Sequence, residues 1–178
     1  MELRARIMSC EDIDRTLIRI SHQIIEKNHG ADNLCLIGIK TRGVPLAKRI
    51  AKNIKKLEGK SVDVGELDIT LYRDDLSTIS DLPVVTGSKI DFPIEGKTVV
   101  LVDDVIYTGR TVRAALDALV ELGRPARVQL FELIDRGHTE FPIKANFVGK
   151  NIPTSHDEVI AVSLIECDGE NAVCIYKK

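Results

Sequence analysis

Apolar positions along this chain follow two periods that take turns. Residues 10–28 carry Ile13, Leu17, Ile20 and Ile24 at i, i+4, i+7 and i+11, the stripe of an amphipathic helix. Leu34-Cys35-Leu36-Ile37-Gly38-Ile39 has no polar break, as expected of a strand buried on both faces. A helical pattern with Leu46, Ala47, Ile50, Ala51, Ile54 and Leu57 comes next, and Val62–Leu67 alternates like a strand. Val99-Val100-Leu101-Val102 is again continuously apolar and mostly β-branched. Val112, Ala115, Leu116, Leu119 and Val120 predict a helix that Gly123 and Pro125 stop. Arg127–Ile134 predicts another strand, and the last quarter (147–155, 159–162, 172–176) reads as short strands and turns. The alternation predicts an α/β fold, with a central, mostly parallel sheet flanked by helices and a small hood built mainly from the C-terminal part. Between Tyr72 and Pro93 the period disappears into Ser, Thr, Asp, Gly and Pro, so residues from about 70 to 94 are expected to form a lid loop.

Composition narrows the class without changing that picture. A length of 178 residues suits one domain, 1–178, with a core of ordinary size. Apolar content of 44% and charged content of 29% are those of a soluble globular protein. No apolar run reaches the roughly 18–20 residues of a membrane span, and the N-terminus lacks a signal-like apolar stretch. Cys10, Cys35, Cys167 and Cys174 are scattered without a C-x-x-C pair, which predicts reduced, mostly buried thiols in a cytoplasmic protein. A net charge of −2 excludes a uniformly basic surface but leaves room for a local one. Arg15, Arg19 and His22 lie opposite Ile13 on the first helix, at about 100° per residue.

The candidate chemistry concentrates in Val99–Thr111. Two adjacent carboxylates, Asp103 and Asp104, follow the apolar strand, and Tyr107-Thr108-Gly109-Arg110-Thr111 leads into a helix. An apolar strand ending in acids also describes the Mg²⁺-holding strand of a P-loop nucleotidase, which requires G-x-x-x-x-G-K-[ST] elsewhere. Gly59-Lys60-Ser61 and Gly96-Lys97-Thr98 both lack the first glycine, having Ile54 and Asp91 instead, and both precede strands. No G-x-G-x-x-G is present either. A ribose bearing a 5′-phosphate fits better. Its diol offers adjacent donors to the two carboxylates, and the loop at a helix N-terminus suits an anion. The same acids can help hold Mg²⁺. Lys40-Thr41-Arg42-Gly43 leaves another strand, so it should face the same crevice and offer a guanidinium to a pyrophosphate.

These residues resemble a known family. Val99–Thr111 resembles the phosphoribosyl-pyrophosphate (PRPP) signature of type I phosphoribosyltransferases. Ile37–Gly43, Asp68–Leu76, Asp135–His138 and Gly149–Ser155 resemble, in order, segments of the PyrR family. That family comprises pyrimidine operon attenuation regulators that also have uracil phosphoribosyltransferase activity. The resemblance implies the type I phosphoribosyltransferase fold and the reaction uracil + PRPP = UMP + pyrophosphate, with Mg²⁺ accompanying PRPP. It places Asp103 and Asp104 on the ribose diol, directly or through Mg²⁺. Val102 and Val105 to Thr111, with Ile106, Tyr107, Thr108, Gly109 and Arg110, would line the substrate site around the 5′-phosphate. Lys40, Thr41 and Arg42 would take the pyrophosphate, Arg73 would close over it, and Arg136 and Ile160 would lie near the base. No side-chain nucleophile is required, and His138 is not read as a general base. The resemblance also implies a UMP-strengthened hold on a leader-RNA hairpin by Arg19, His22, Lys27, His138, Lys144 and Lys150, with UMP- or UTP-type nucleotides as effectors. It implies a homo-oligomer as well, a dimer or an assembly of dimers. Ile18 and Thr139 depart from the family's usual threonine and arginine on the RNA face, so the alternative is a phosphoribosyltransferase without RNA regulation.

Overall fold

The computed structural model describes residues 1–72 and 87–178. The chain runs β1 (Glu2–Met8), α1 (Cys10–Asn28), β2 (Leu34–Ile39), α2 (Gly43–Glu58), β3 (Asp63–Leu67), β4 (Thr98–Ile106), α3 (Arg110–Leu122), β5 (Arg127–Asp135), β6 (Phe147–Asn151), β7 (Glu158–Ser163), α4 (Ile165–Asp168) and β8 (Ala172–Lys177). Five strands form a parallel sheet in the order β3-β2-β4-β5-β6. β2 and β4 are internal and covered on both faces, which is why their sequences are continuously apolar. Leu36, Val100, Val102, Phe131 and Leu133 pack with the apolar stripes of α1 and α2. Cys35, Ile37, Val99, Leu101 and Leu130 pack with Val112, Ala115 and Leu119 of α3 on the other side. α1 begins in a capping box in which Ser9 and Asp12 satisfy each other's backbone N–H.

The hood is an antiparallel sheet in the order β1-β8-β7. Met8, Ile160, Val162, Val173 and Ile175 join it to the α1/α2 side of the core. β1 has no legible strand pattern, because among its residues only Met8 is buried; its partner β8 defines it.

Three expectations need correction. β4 continues to Ile106, so Asp103 and Asp104 lie within its last residues instead of after it. Leu57 and Val120, assigned to apolar stripes, are 41% and 76% exposed, because Leu57 lies beyond Ile54, the last buried residue of α2, and Val120 lies roughly 150° around α3 from the centre of its buried face. Cys10 and Cys167 are exposed; only Cys35 is buried outright. Of the expected lid, Thr70–Tyr72 is a 3-10 turn and Lys89 pairs with Glu66 through the backbone. Residues 73–86, and with them Arg73, lie outside the described residues. No helix among the described residues is long and apolar enough to cross a membrane.

The core assignment is testable. Leu17→Ala empties a site 1% exposed and should cost about 2–5 kcal/mol in denaturant unfolding, whereas Val120→Thr should stay within about 0.5 kcal/mol.

Candidate active site

Two glycines let the first turn of α2 press against the end of β4. A Cβ on Gly43 would lie 2.1 Å from the Val102 carbonyl oxygen, and one on Gly38 would lie 2.5 Å from the Gly43 carbonyl oxygen. Backbone contacts this close exclude any side chain at either position. Gly38 and Val102 are register partners, so the Lys40-Thr41-Arg42 turn is delivered beside Asp103 and Asp104. Lys40, Thr41, Arg42, Asp68, Thr70, Asp103, Asp104, Val105 and Thr111 line one cleft of about 400 Å³. The predicted common crevice therefore exists.

Asp103 is buried, and its Oδ1 accepts the Asp104 N–H at 2.9 Å. Asp104 Oδ1 accepts the Val105 N–H at the same distance. Burial pushes the Asp103 carboxyl well above the carboxylate range, and the neighbouring Asp104 charge pushes it further. Burial also raises Asp104, while Asp103 and the Arg42 guanidinium pull it back. Arg42 makes a bidentate pair with Asp168 of α4, Nε–Oδ2 at 3.1 Å and Nη2–Oδ1 at 2.8 Å. Lys40 turns instead toward β3: its ammonium donates to the Gly87 carbonyl and lies 3.9 Å from Glu66.

Beyond the acids, residues 105–109 with Thr111 and Val112 enclose a second hollow of about 140 Å³. Gly109 takes a left-handed φ of +89° and starts α3 with no side-chain cap, leaving first-turn N–H groups for a ligand. The segment after β5 backs this loop. The Thr108 carbonyl accepts the Glu140 N–H at 2.8 Å, and the Glu140 carboxylate takes Arg110 Nη2 at 2.8 Å while that guanidinium lies over Phe141. Val102 and Ile106 are core residues, and Ile106 also borders the second hollow.

The expected base-side residues behave differently. Arg136 is buried and spends Nε on Thr154 Oγ1 at 3.0 Å and Nη2 on the Glu158 carbonyl at 2.9 Å. Its guanidinium stacks 4.0 Å from the Tyr107 ring centre, so it joins the phosphate loop to the hood. Ile160 is a core residue of β7. His138 is held by a 2.6 Å hydrogen bond between Nε2 and the Thr154 carbonyl and packs against His156.

Among the expected RNA contacts, Arg19 donates to the Gly149 carbonyl at 2.5 Å and Lys150 reaches the Ile7 carbonyl at 3.4 Å, which brings these two together where α1 meets β6. His22 and Lys27 are exposed on α1, and Lys144 is exposed between β5 and β6.

Two acids that bear on the site were missed. Asp168 is 126 residues from Arg42, and no local pattern announces that pairing. Glu132 had a signal, a charge interrupting the apolar Leu130–Leu133 run. It is the register partner of Asp103, fully buried, and neither carboxyl oxygen has a hydrogen-bond partner among the described residues.

A phosphoribosyl transferase domain family model matches residues 9–164. The bifunctional protein PyrR of Acetivibrio thermocellus is 63% identical over 172 residues, covering 97% of this chain and 94% of the relative. The bifunctional protein PyrR of Clostridioides difficile is 59% identical, covering 97% of both. The chain belongs to the PyrR family of phosphoribosyltransferases. Solved structures share the fold at much lower identity. A Trypanosoma cruzi hypoxanthine phosphoribosyltransferase aligns with TM-score 0.77 at 16% identity over 98% of this chain and 96% of its own. A Bacillus anthracis hypoxanthine-guanine phosphoribosyltransferase gives 0.72 at 20%, covering 99% of both. The expected type I phosphoribosyltransferase fold is therefore the fold of this chain.

Glu132 yields a prediction with a definite sign. Burial, then the charges of Asp103, Asp104 and Asp135, push its carboxyl well above the ordinary range, so the folded chain holds this proton more tightly than the unfolded chain. Stability is therefore lost as pH rises above about 4.3, the unfolded value. Glu132→Leu should stabilise by about 1–3 kcal/mol at pH 7 and by less at pH 4, measured by urea unfolding at both.

Proposed function

We propose that this protein transfers the phosphoribosyl group of PRPP to uracil, giving UMP and pyrophosphate, and that its UMP-bound form binds a pyrimidine-operon leader hairpin to control transcription attenuation in the cytoplasm. The observation that carries the reading is the acidic pair at the end of β4, set between a phosphate-sized hollow and a cationic turn. Phosphate, diol and diphosphate lie in that order along PRPP. The relatives' shared name, bifunctional protein PyrR, supports both activities.

In this reading the first turn of α3 and the Thr108 hydroxyl take the 5′-phosphate. Asp103 and Asp104 accept hydrogen bonds from the ribose hydroxyls, and Lys40 and Arg42 neutralise the departing pyrophosphate, with Arg73 a candidate to cover it. The C1′–O bond breaks as uracil N1 bonds to C1′ and gives up its proton, through a state with oxocarbenium character. Catalysis is positioning and charge neutralisation, so no side-chain nucleophile is needed.

Asp103 and Asp104 fit Mg²⁺. Each spends one carboxylate oxygen on a backbone N–H and keeps another, and Mg²⁺ is commonly held by one or two carboxylates with substrate oxygens completing its shell. Bound there, the ion supplies positive charge beside the diphosphate. Arg19, Lys150, His22, Lys27, Lys144 and His138 are the proposed RNA contacts, and a homo-oligomer is the proposed assembly.

Pyrophosphate should be released from PRPP with uracil and Mg²⁺, and Asp104→Asn should lower kcat/KM by about 10²-fold. Turnover with hypoxanthine but not uracil would overturn the base assignment. In a gel shift at fixed salt, UMP should tighten binding to the leader hairpin, and Arg19→Ala should weaken it and flatten the salt dependence. A hairpin indifferent to UMP would leave the enzyme alone.

A further inference from the structure

We propose that Asp168 is a positioning residue for the transfer: from the hood, it holds one edge of the Arg42 guanidinium so that the opposite edge faces the diphosphate of PRPP. The inference rests on the PRPP reading above. A guanidinium carries five N–H donors in a fixed plane. Asp168 occupies the Nε edge through Nε and Nη2, at 3.1 and 2.8 Å, which leaves the opposite edge for another acceptor. Arg42 lines the cleft that also holds Asp103, Asp104 and Thr111, so an acceptor bound in that cleft has the guanidinium as a neighbour. The influence of Arg42 on the Asp104 carboxyl puts it within electrostatic reach of the acidic pair.

Asp168 is itself fixed. Its Oδ2 accepts the Leu164 N–H at 2.9 Å, and its own N–H donates to the Leu164 carbonyl at 2.7 Å. Arg42 has no such restraint from its helix, because α2 starts there without a side-chain cap. A long arginine side chain loses rotamer freedom when it meets a ligand, and an anchor on one edge removes that cost before binding.

A fastening role alone does not account for the pair. α2 is already joined to the same hood turn by Arg49, whose Nε and Nη2 meet Glu166 at 2.9 and 2.6 Å and whose Nη2 also meets Asn171 at 2.8 Å. Arg49 lies off the acidic cleft, in the groove beside Ile18 and Lys52, whereas Glu166 also borders a hollow lined by Lys40 and Thr41. The two clamps are alike in chemistry and differ in what they face, so the second is the control for the first.

Asp168→Asn keeps an oxygen for the Leu164 N–H and removes the carboxylate charge that faces Arg42. It should raise the KM for PRPP and the inhibition constant of pyrophosphate about tenfold while kcat and the KM for uracil stay within about threefold. Arg49→Gln should lower Tm and leave the KM for PRPP unchanged. Unchanged PRPP and pyrophosphate constants in Asp168→Asn, or equal KM increases in both variants, would overturn the proposal. A lowered KM would also overturn it, since Asp168 would then be competing with the substrate. Failure of the wild-type protein to bind PRPP by calorimetry would instead overturn the PRPP reading, and this inference with it.

Discussion

Three carboxyl groups, Asp103, Asp104 and Glu132, are crowded at the carboxyl end of the parallel sheet, and folding has largely withdrawn them from water. Their charges oppose one another, and among the described residues none is paired with a lysine or arginine within ion-pair distance. Burial of this kind favours the protonated forms and lowers stability when protons leave. A fold that keeps such a cluster carries a standing electrostatic cost. Groups that bring positive charge or hydroxyl donors to it, a divalent cation or a ribose diol, relieve that cost on arrival. The unfavourable electrostatics of this rim and the affinity proposed for it have one origin.

The geometry that gathers these groups is a property of the sheet. Parallel strands place their carboxyl ends on one rim, and the β2–β4–β5 register brings Gly38, Val102 and Phe131 level with one another. Asp103 and Glu132 are level one step further on. The backbone approach at Gly43 then sets the start of α2 against that rim. A side chain at either glycine would drive α2 outward and carry Arg42 away from Asp104. The hood closes the same rim from above, through Arg136 on one side and the Arg42 and Arg49 clamps on the other.

Much of this was legible in the residues, for identifiable reasons. Continuous apolar runs marked β2 and β4 because both strands are covered on both faces, and the 3.6-residue stripes marked α1, α2 and α3 because each buries one face. β1 was illegible because its order comes from β8, at the other end of the chain. The acidic pair, the Thr108-Gly109 loop and the Thr41-Arg42 turn could be read because each is local. Arg136–Thr154 and Arg42–Asp168 could not, since a long-range pair leaves no spacing to recognise. Glu132 falls between these cases: its intrusion into an apolar strand was visible, and only the register showed that it stands behind Asp103.

The cations of the site are not waiting bare. Arg110 is engaged by Glu140, Arg42 by Asp168, and Lys40 by the Gly87 carbonyl near Glu66. A phosphate entering here exchanges partners, so the energy it gains from each cation is a difference between two anions and is smaller than the bare attraction. Arg110 places Nε and Nη2 on one Glu140 oxygen, and Arg42 places the same two nitrogens on the two oxygens of Asp168. Arg42 meets its acid along one edge and can gain a second anion without losing the first. What separates the two arginines is position: Arg42 lines the cleft beside Asp103 and Asp104, and Arg110 does not. In the proposed reading the α3 loop offers backbone N–H groups to the 5′-phosphate, while the α2 turn carries the charge that a departing diphosphate requires.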